Sequence, residues 1–203
     1  MKQLIVLLAI TALVLQEGQS QSGWTQGQGK GFFKLSENII RAGSFFNPDG
    51  EVIDITTTSV YGTNLYAEYG FTPRLTGIMN ANLFVRSTIN ELESSVDGVT
   101  IPGDEFNGLG DIGFALKYGV ITDKTYVLSA TASVKLPTGE NVGGDTELLQ
   151  SGDGAWGAMG LVSVSRSFYP VPLYASAFAG YQWRGETDLE YSTGTETVNY
   201  DDA

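Results

Sequence analysis

The chain has 203 residues, enough for one domain, a formal net charge of −12, and neither Cys nor His. That composition excludes disulfides and thiolate chemistry, and removes the commonest general base and metal ligand. Charged residues are only 17%, against roughly 25% in soluble domains, which suits a wall with apolar side chains on one face and small polar ones on the other.

Residues 1–20 have the layout of a secretory signal peptide: Lys2 as a positive start, an apolar run over 4–15, and Gly18-Gln19-Ser20 with small residues at the −3 and −1 positions of a cleavage site. The run is shorter than the ~20 residues that span a bilayer, so export is expected rather than anchoring. Residues 21–30 read as a flexible, Gly-rich periplasmic lead-in. The stretch GWTQGQGKG lacks the spacing of a phosphate loop.

From residue 31 the apolar side chains recur at period 2, the signature of β-strands, because successive side chains point to opposite faces. In 31–46, Phe33, Leu35 and Ile39 oppose Lys34, Ser36 and Asn38, with Glu37 and Arg41 interrupting the apolar face. Asn47-Pro48-Asp49-Gly50 then has strong turn chemistry. In 52–71, Ile53, Tyr61, Leu65, Ala67 and Tyr69 oppose Asp54, Thr58, Asn64 and Glu68. After Thr72-Pro73-Arg74, a third strand sets Leu75, Met79, Ala81, Leu83 and Val85 against Thr76, Asn80, Asn82 and Arg86, and a polar loop is expected over 87–108.

The clearest unit is the hairpin 109–136. Ile112, Phe114, Leu116 and Tyr118 oppose Asp111, Gly113, Ala115 and Lys117. In the second arm Tyr126, Leu128, Ala130, Ala132, Val134 and Leu136 oppose Ser129, Thr131, Ser133 and Lys135. Each arm runs about ten residues, the length a tilted strand needs to cross a bilayer. Pro137-Thr138-Gly139 ends it, since Pro cannot donate to the ladder, and a polar loop runs to Gly154. Asp111 and Asp153 read as strand-starting residues that satisfy loop amides. A sixth strand over 156–168 turns Ala158, Val162 and Val164 away from Ser163, Ser165 and Ser167, although Met159 and Leu161 fall on the Ser face. The seventh sets Ala175, Ala177, Ala179, Tyr181 and Trp183 against Ser176, Gly180, Gln182 and Arg184, and a polar tail follows over 186–203.

Beyond the first connection, short turns alternate with long loops. The acidic residues gather in the long ones, which contain no Lys or Arg, and aromatic residues collect at strand ends. These features predict an all-β fold, a transmembrane antiparallel up-and-down β-barrel over 31–203 with girdles at two interfaces. A soluble barrel or sandwich would alternate too; strand length, loop asymmetry and girdles favour the outer membrane. About seven strands are expected, an odd number where single-chain bacterial barrels have an even one. The expectation is therefore a C-terminally truncated barrel that ends in an extracellular loop.

GLGDIGFALKYGV, SVKLPTGE and SGDGAWG, with the earlier GWTQGQGKGFFKLS and YGFTPRLTG, resemble the outer-membrane family named after the meta-pathway of phenol degradation. The resemblance covers nearly all of the chain after residue 20. It implies an outer-membrane transporter of small molecules, aromatic or other hydrophobic compounds among them. The expected partners are outer-membrane lipid, a small-molecule solute and the barrel-insertion machinery, with no role for nucleic acid and no cofactor.

With the polar faces inward, the candidate lumen-lining residues are Lys34, Glu68, Arg86, Asp111, Lys117, Lys135 and Arg184, with Asp54 a further acidic candidate. Arg86, Lys135 and Arg184 belong near the outer strand ends, and Lys34 and Lys117 deeper. Opposed charges across a narrow lumen orient polar solutes and set selectivity; salt bridges that simply fill a small barrel are the competing reading. A barrel hydrolase would need a His-supported Ser, so no enzyme is expected. The alternative to a channel is a structural or surface-interaction barrel.

Overall fold

In the computed structural model the described residues are 22–47, 50–93, 100–123 and 125–199. The signal-peptide expectation, the Pro48-Asp49 step and the last residues of the tail lie outside them. No helix is present among the described residues.

The period-2 segments form the strands that they predict. Seven long strands, β1 (Gly31–Phe46), β2 (Val52–Gly70), β3 (Leu75–Ile89), β7 (Ile112–Ile121), β8 (Tyr126–Leu136), β9 (Gly157–Ser167) and β10 (Tyr174–Arg184), pair in that order, each antiparallel to the next. The sheet curls into a half-barrel, with β1 and β10 as its edges. Short strands occupy the connections: β4 (Leu92–Glu93) with β5 (Thr100–Ile101), β6 (Asp104–Gly108) against β3, and the hairpin β11 (Thr187–Tyr191) with β12 (Gly194–Val198).

Residues paired across antiparallel strands share a face. One such row crosses the whole sheet: Lys34, Tyr66, Asn80, Gly113, Lys135, Gly157 and Arg184. The next rows toward the short-turn end hold Glu68 with Ile78 and Ala115, then Thr76 with Lys117 and Thr131. This is the concave face. Among the described residues the most deeply buried larger side chains lie on it and are polar: Lys117, Thr76, Ser129, Ser163 and Ser165. The convex face carries the exposed apolar side chains, among them Phe33 at 71%, Leu116 at 54% and Tyr181 at 56% exposure. A soluble protein buries the second set and exposes the first.

Three departures from the expected pattern matter. A register shift in the β2–β3 ladder, where Asn64 pairs Asn82 but Thr63 pairs Phe84, makes Leu83 an extra residue on β3. Such a bulge reverses the phase beyond it. Val85 and Ser87 therefore turn inward and are buried, while Arg86 turns to the convex face. Second, part of the expected loop 87–108 is strand, because β3 runs on to Ile89 and β6 pairs back along it, Val85 with Gly108 through Ile89 with Asp104. Third, residues 187–198 of the polar tail form a hairpin, with Gly194 at φ 149° where the second strand begins, a conformation open chiefly to glycine.

Candidate functional site

Two structures close on the concave face, one at each end. At the long-connection end the loop after β8 folds inward. Pro137 stops the strand, and the Thr138 hydroxyl donates to Gly110 O at 2.7 Å. Gly139 then passes so near Gly152 that a Cβ would lie 2.7 Å from the Gly152 backbone. Ser151 ties the loop to the wall through Leu109 O at 2.8 Å, and the Ser87 hydroxyl reaches Gln150 O at 2.7 Å. Ser87 can do so only because the bulge turned it inward.

Inside this loop lies an ionic cluster. Lys135 Nζ is 3.3 Å from Asp111 Oδ2 and also bonds Asp153 Oδ1, while Arg184 Nη2 bonds Asp153 Oδ2. The row explains the convergence: Gly157 stands between Lys135 and Arg184, and an added Cβ there would meet the Lys135 stem at 3.4–3.5 Å. With no side chain in the way, both cations reach one carboxylate. Asp111 also accepts the amides of Gly139 at 3.1 Å and Asp153 at 3.3 Å, and Asp153 that of Ala155 at 3.1 Å. Burial works to raise the Asp153 pKa, but hydrogen bonds from Lys135, the Ala155 amide and Arg184 outweigh it and lower the group from 3.8 to about 2.

Outward of the cluster, Asp104 accepts the Thr146 hydroxyl at 2.6 Å and the Thr146 amide at 2.8 Å. These two bonds hold its carboxyl below the ordinary value. Glu147 accepts the Ser192 amide at 2.8 Å, and Asn141 donates to Thr187 and Asp188, so the β11–β12 hairpin docks on the same loop. A cavity of about 1080 Å³ opens at this rim between Arg86, Glu91, Asp104, Glu105 and Asp145.

At the short-turn end the Gly-rich segment before β1 lies against the wall, where composition alone suggests a free lead-in. Gly23 N–H donates to Ser165 Oγ at 2.8 Å, and Gln26 N–H to Thr76 Oγ1 at 2.9 Å. The Gln26 side chain donates to Glu68 Oε2 at 2.6 Å, and the Tyr66 hydroxyl donates to the other oxygen. Gly29 N–H to Gly70 O at 2.8 Å and Gly70 N–H to Lys30 O at 2.9 Å join the segment to the end of β2. Residues 23–30 thus cross from β9 to β2. Beside them the hydroxyls of Ser129, Thr131 and Ser163 are buried with no hydrogen-bond partner on the protein.

Of the sequence-predicted residues, Lys135, Asp111 and Arg184 come together. Lys34 shares their row but sits exposed on β1. Glu68 and Lys117 lie near the strap-like segment, both buried and in adjacent inward rows. Arg86 lies off the concave face, paired with Glu105 on the convex side of the rim. The side chain of Asp54 is outside the described set. Asp153 is the residue that the candidate set lacked; two inward cations with only Asp111 to balance them were the available signal. Three of the motif stretches, LGDIG, VKLPTG and SGDG, meet at this one cluster.

Among the described residues no three acidic side chains are arranged to hold a metal ion. The geometry provides a curled wall, closed at one end by an ion-paired loop and at the other by a hydrogen-bonded segment. No family model matches the sequence, and no curated protein matches it either.

Proposed function

We propose that this chain forms an outer-membrane channel that carries small molecules, aromatic or other hydrophobic compounds among them, across the bilayer. The observation that carries the reading is the inverted distribution of side chains: exposed aromatic and aliphatic groups on the convex face, buried Ser, Thr and Lys on the concave one. Lipid takes the place of a core outside, and water or solute the place of solvent inside.

Two further features support it. Exposed Tyr69, Phe71, Tyr118 and Tyr126 gather at the short-turn end, and Trp156, Tyr181 and Trp183 at the other, as interfacial girdles do. The concave face mixes apolar Phe32, Ile78, Met159 and Leu161 with its charges, a lining that suits a solute with an apolar body and a polar end. The resemblance to the phenol meta-pathway family and the signal-like residues 1–20 point the same way, to export and the outer membrane.

The test is reconstitution in liposomes. Folded protein is expected to give stepwise conductance in planar bilayers and to accelerate liposome swelling in small solutes. Folded, inserted protein with neither activity would favour a structural or surface-interaction barrel instead.

A further inference from the structure

We infer that segment 22–30 is a displaceable strap that closes the short-turn end of the lumen, and that the hydroxyl-rich wall beneath it is the solute path when the strap is out. The inference rests on the channel reading above.

The route of the strap is the first argument. Gly23 lies beside β8 and β9, where a Cβ would meet Val127 O at 3.0 Å and Ser163 O at 3.2 Å. Thr25 lies over β7, its Cγ2 3.1 Å from where a Gly119 Cβ would stand. Gln26 reaches β3 and β2 through Thr76 and Glu68. Since Gly119, Ser129 and Ser163 form one cross-strand row, the strap passes over Ser129, whose exposure is 0%.

How the strap is held is a second ground. Its wall contacts are hydrogen bonds between groups that water or a solute satisfies equally well, and Gly23, Gly27 and Gly29 bring no side chain to bury. Trp24 packs edge-on against Tyr174 at 5.9 Å, at the exposed end of β10. A permanent plug would satisfy the groups it covers. This one leaves Ser129, Thr131 and Ser163 without protein partners, and Lys117 sits in the same wall, paired across the ladder with Thr131. Displacement exposes a row of hydroxyls beside an ammonium, suited to a solute with carbonyl, carboxylate or hydroxyl oxygens.

The third is a fitted seat. At Gly70 a Cβ would overlap the Gly27 carbonyl oxygen and stand 2.8 Å from that of Gln26. Gly70→Ala therefore ejects the strap while every wall side chain stays in place.

The test compares the intact chain, a deletion of 22–27, and Gly70→Ala, each in planar bilayers with potassium chloride and each also carrying Ser129→Cys for labelling by a membrane-impermeant thiol reagent. The chain has no native Cys, so labelling reports position 129 alone, and heat-modifiable gel mobility reports folding. Both variants are expected to label at least tenfold faster than the intact chain and to conduct at least twice as much. Unchanged labelling and conductance in folded variants would overturn the strap and leave the channel standing. Faster labelling with no conductance in any of the three would overturn the channel reading, and the solute path with it, and leave only a cover. If the deletion does not fold, Gly70→Ala decides.

Discussion

Lys135 and Arg184 close on the two oxygens of one carboxylate, that of Asp153, from strands two places apart in the sheet. The intervening strand β9 contributes Gly157 at that level, so nothing separates the cations but the acid they share. Asp153 belongs to the inward loop, and its two bonds fasten that loop to β8 and β10. The loop is thus part of the wall's electrostatics.

Acid should release it. The folded pKa of Asp153 is about 2, below the ordinary 3.8. A depressed carboxylate contributes stability that is present above its unfolded pKa and lost as pH falls through the folded one. The melting temperature in detergent should therefore drop mainly between about pH 4 and pH 2. Asp153→Asn should remove that part of the drop and lower stability at pH 7 by about 1–3 kcal/mol, since it leaves two cations short of an acceptor.

Charge order inside the cluster matters as much as its presence. Lys135→Glu places a third carboxylate beside Asp111 and Asp153 and should destabilise more than Lys135→Met does. Adding Asp153→Lys to Lys135→Glu should recover part of the loss, because one opposite-sign pair returns. Thermal melting of these variants and of Asp153→Lys alone checks this; a double variant less stable than both Lys135→Glu and Asp153→Lys would refute direct pairing.

The two faces can be told apart by a single inserted charge. Ala132 lines an apolar groove of about 570 Å³ on the convex face with Phe33, Met79, Phe114, Leu116 and Val134. Ala132→Lys should cost about 2–4 kcal/mol if the position lies near mid-bilayer. Ser133→Lys, one residue on and facing inward, should cost much less in denaturant titrations of bilayer-inserted protein. The reverse order would mean that inside and outside are exchanged.

The inward loop depends on backbone contact as well as charge. Gly139→Ala would drive a methyl into the Gly152 backbone, and should cost about 1–3 kcal/mol. Because the strain falls in the loop, the expected sign is faster cleavage near Glu140 and Glu147 by a glutamate-specific protease, with the strands left protected.

Much of this was legible from alternation. The hairpin 109–136 obeys it except at Val120, an extra residue where the β7–β8 register shifts, and Ser129 to Lys135 face as the pattern requires. Arg86 was misplaced because one bulge at Leu83 shifts the phase, and a period-2 pattern carries no memory of an insertion except the adjacent apolar pair Leu83-Phe84. The strap was hidden for a different reason. Glycine-rich sequence records conformational freedom, while the bonds to Ser165, Thr76 and Glu68 are set by tertiary position. Asp153 was legible as a strand-starting acid, and it does accept the Ala155 amide; its pairing with Arg184 depends on the sheet's lateral order, which no local pattern encodes.

The uneven placement of charge along the strands makes the molecule an electric dipole. Glu91, Asp104, Glu105, Glu140, Asp145 and Glu147 crowd the long-connection end, while Lys30, Arg74 and Arg166 lie toward the short turns. Its field reaches about 8 Å into physiological saline, so small cations accumulate at the acidic mouth and anions are thinned there. In the channel proposed above, an anionic solute would meet that barrier first and the Lys135–Arg184 cations second. Its rate of entry should therefore rise with added salt, where that of a cationic one falls.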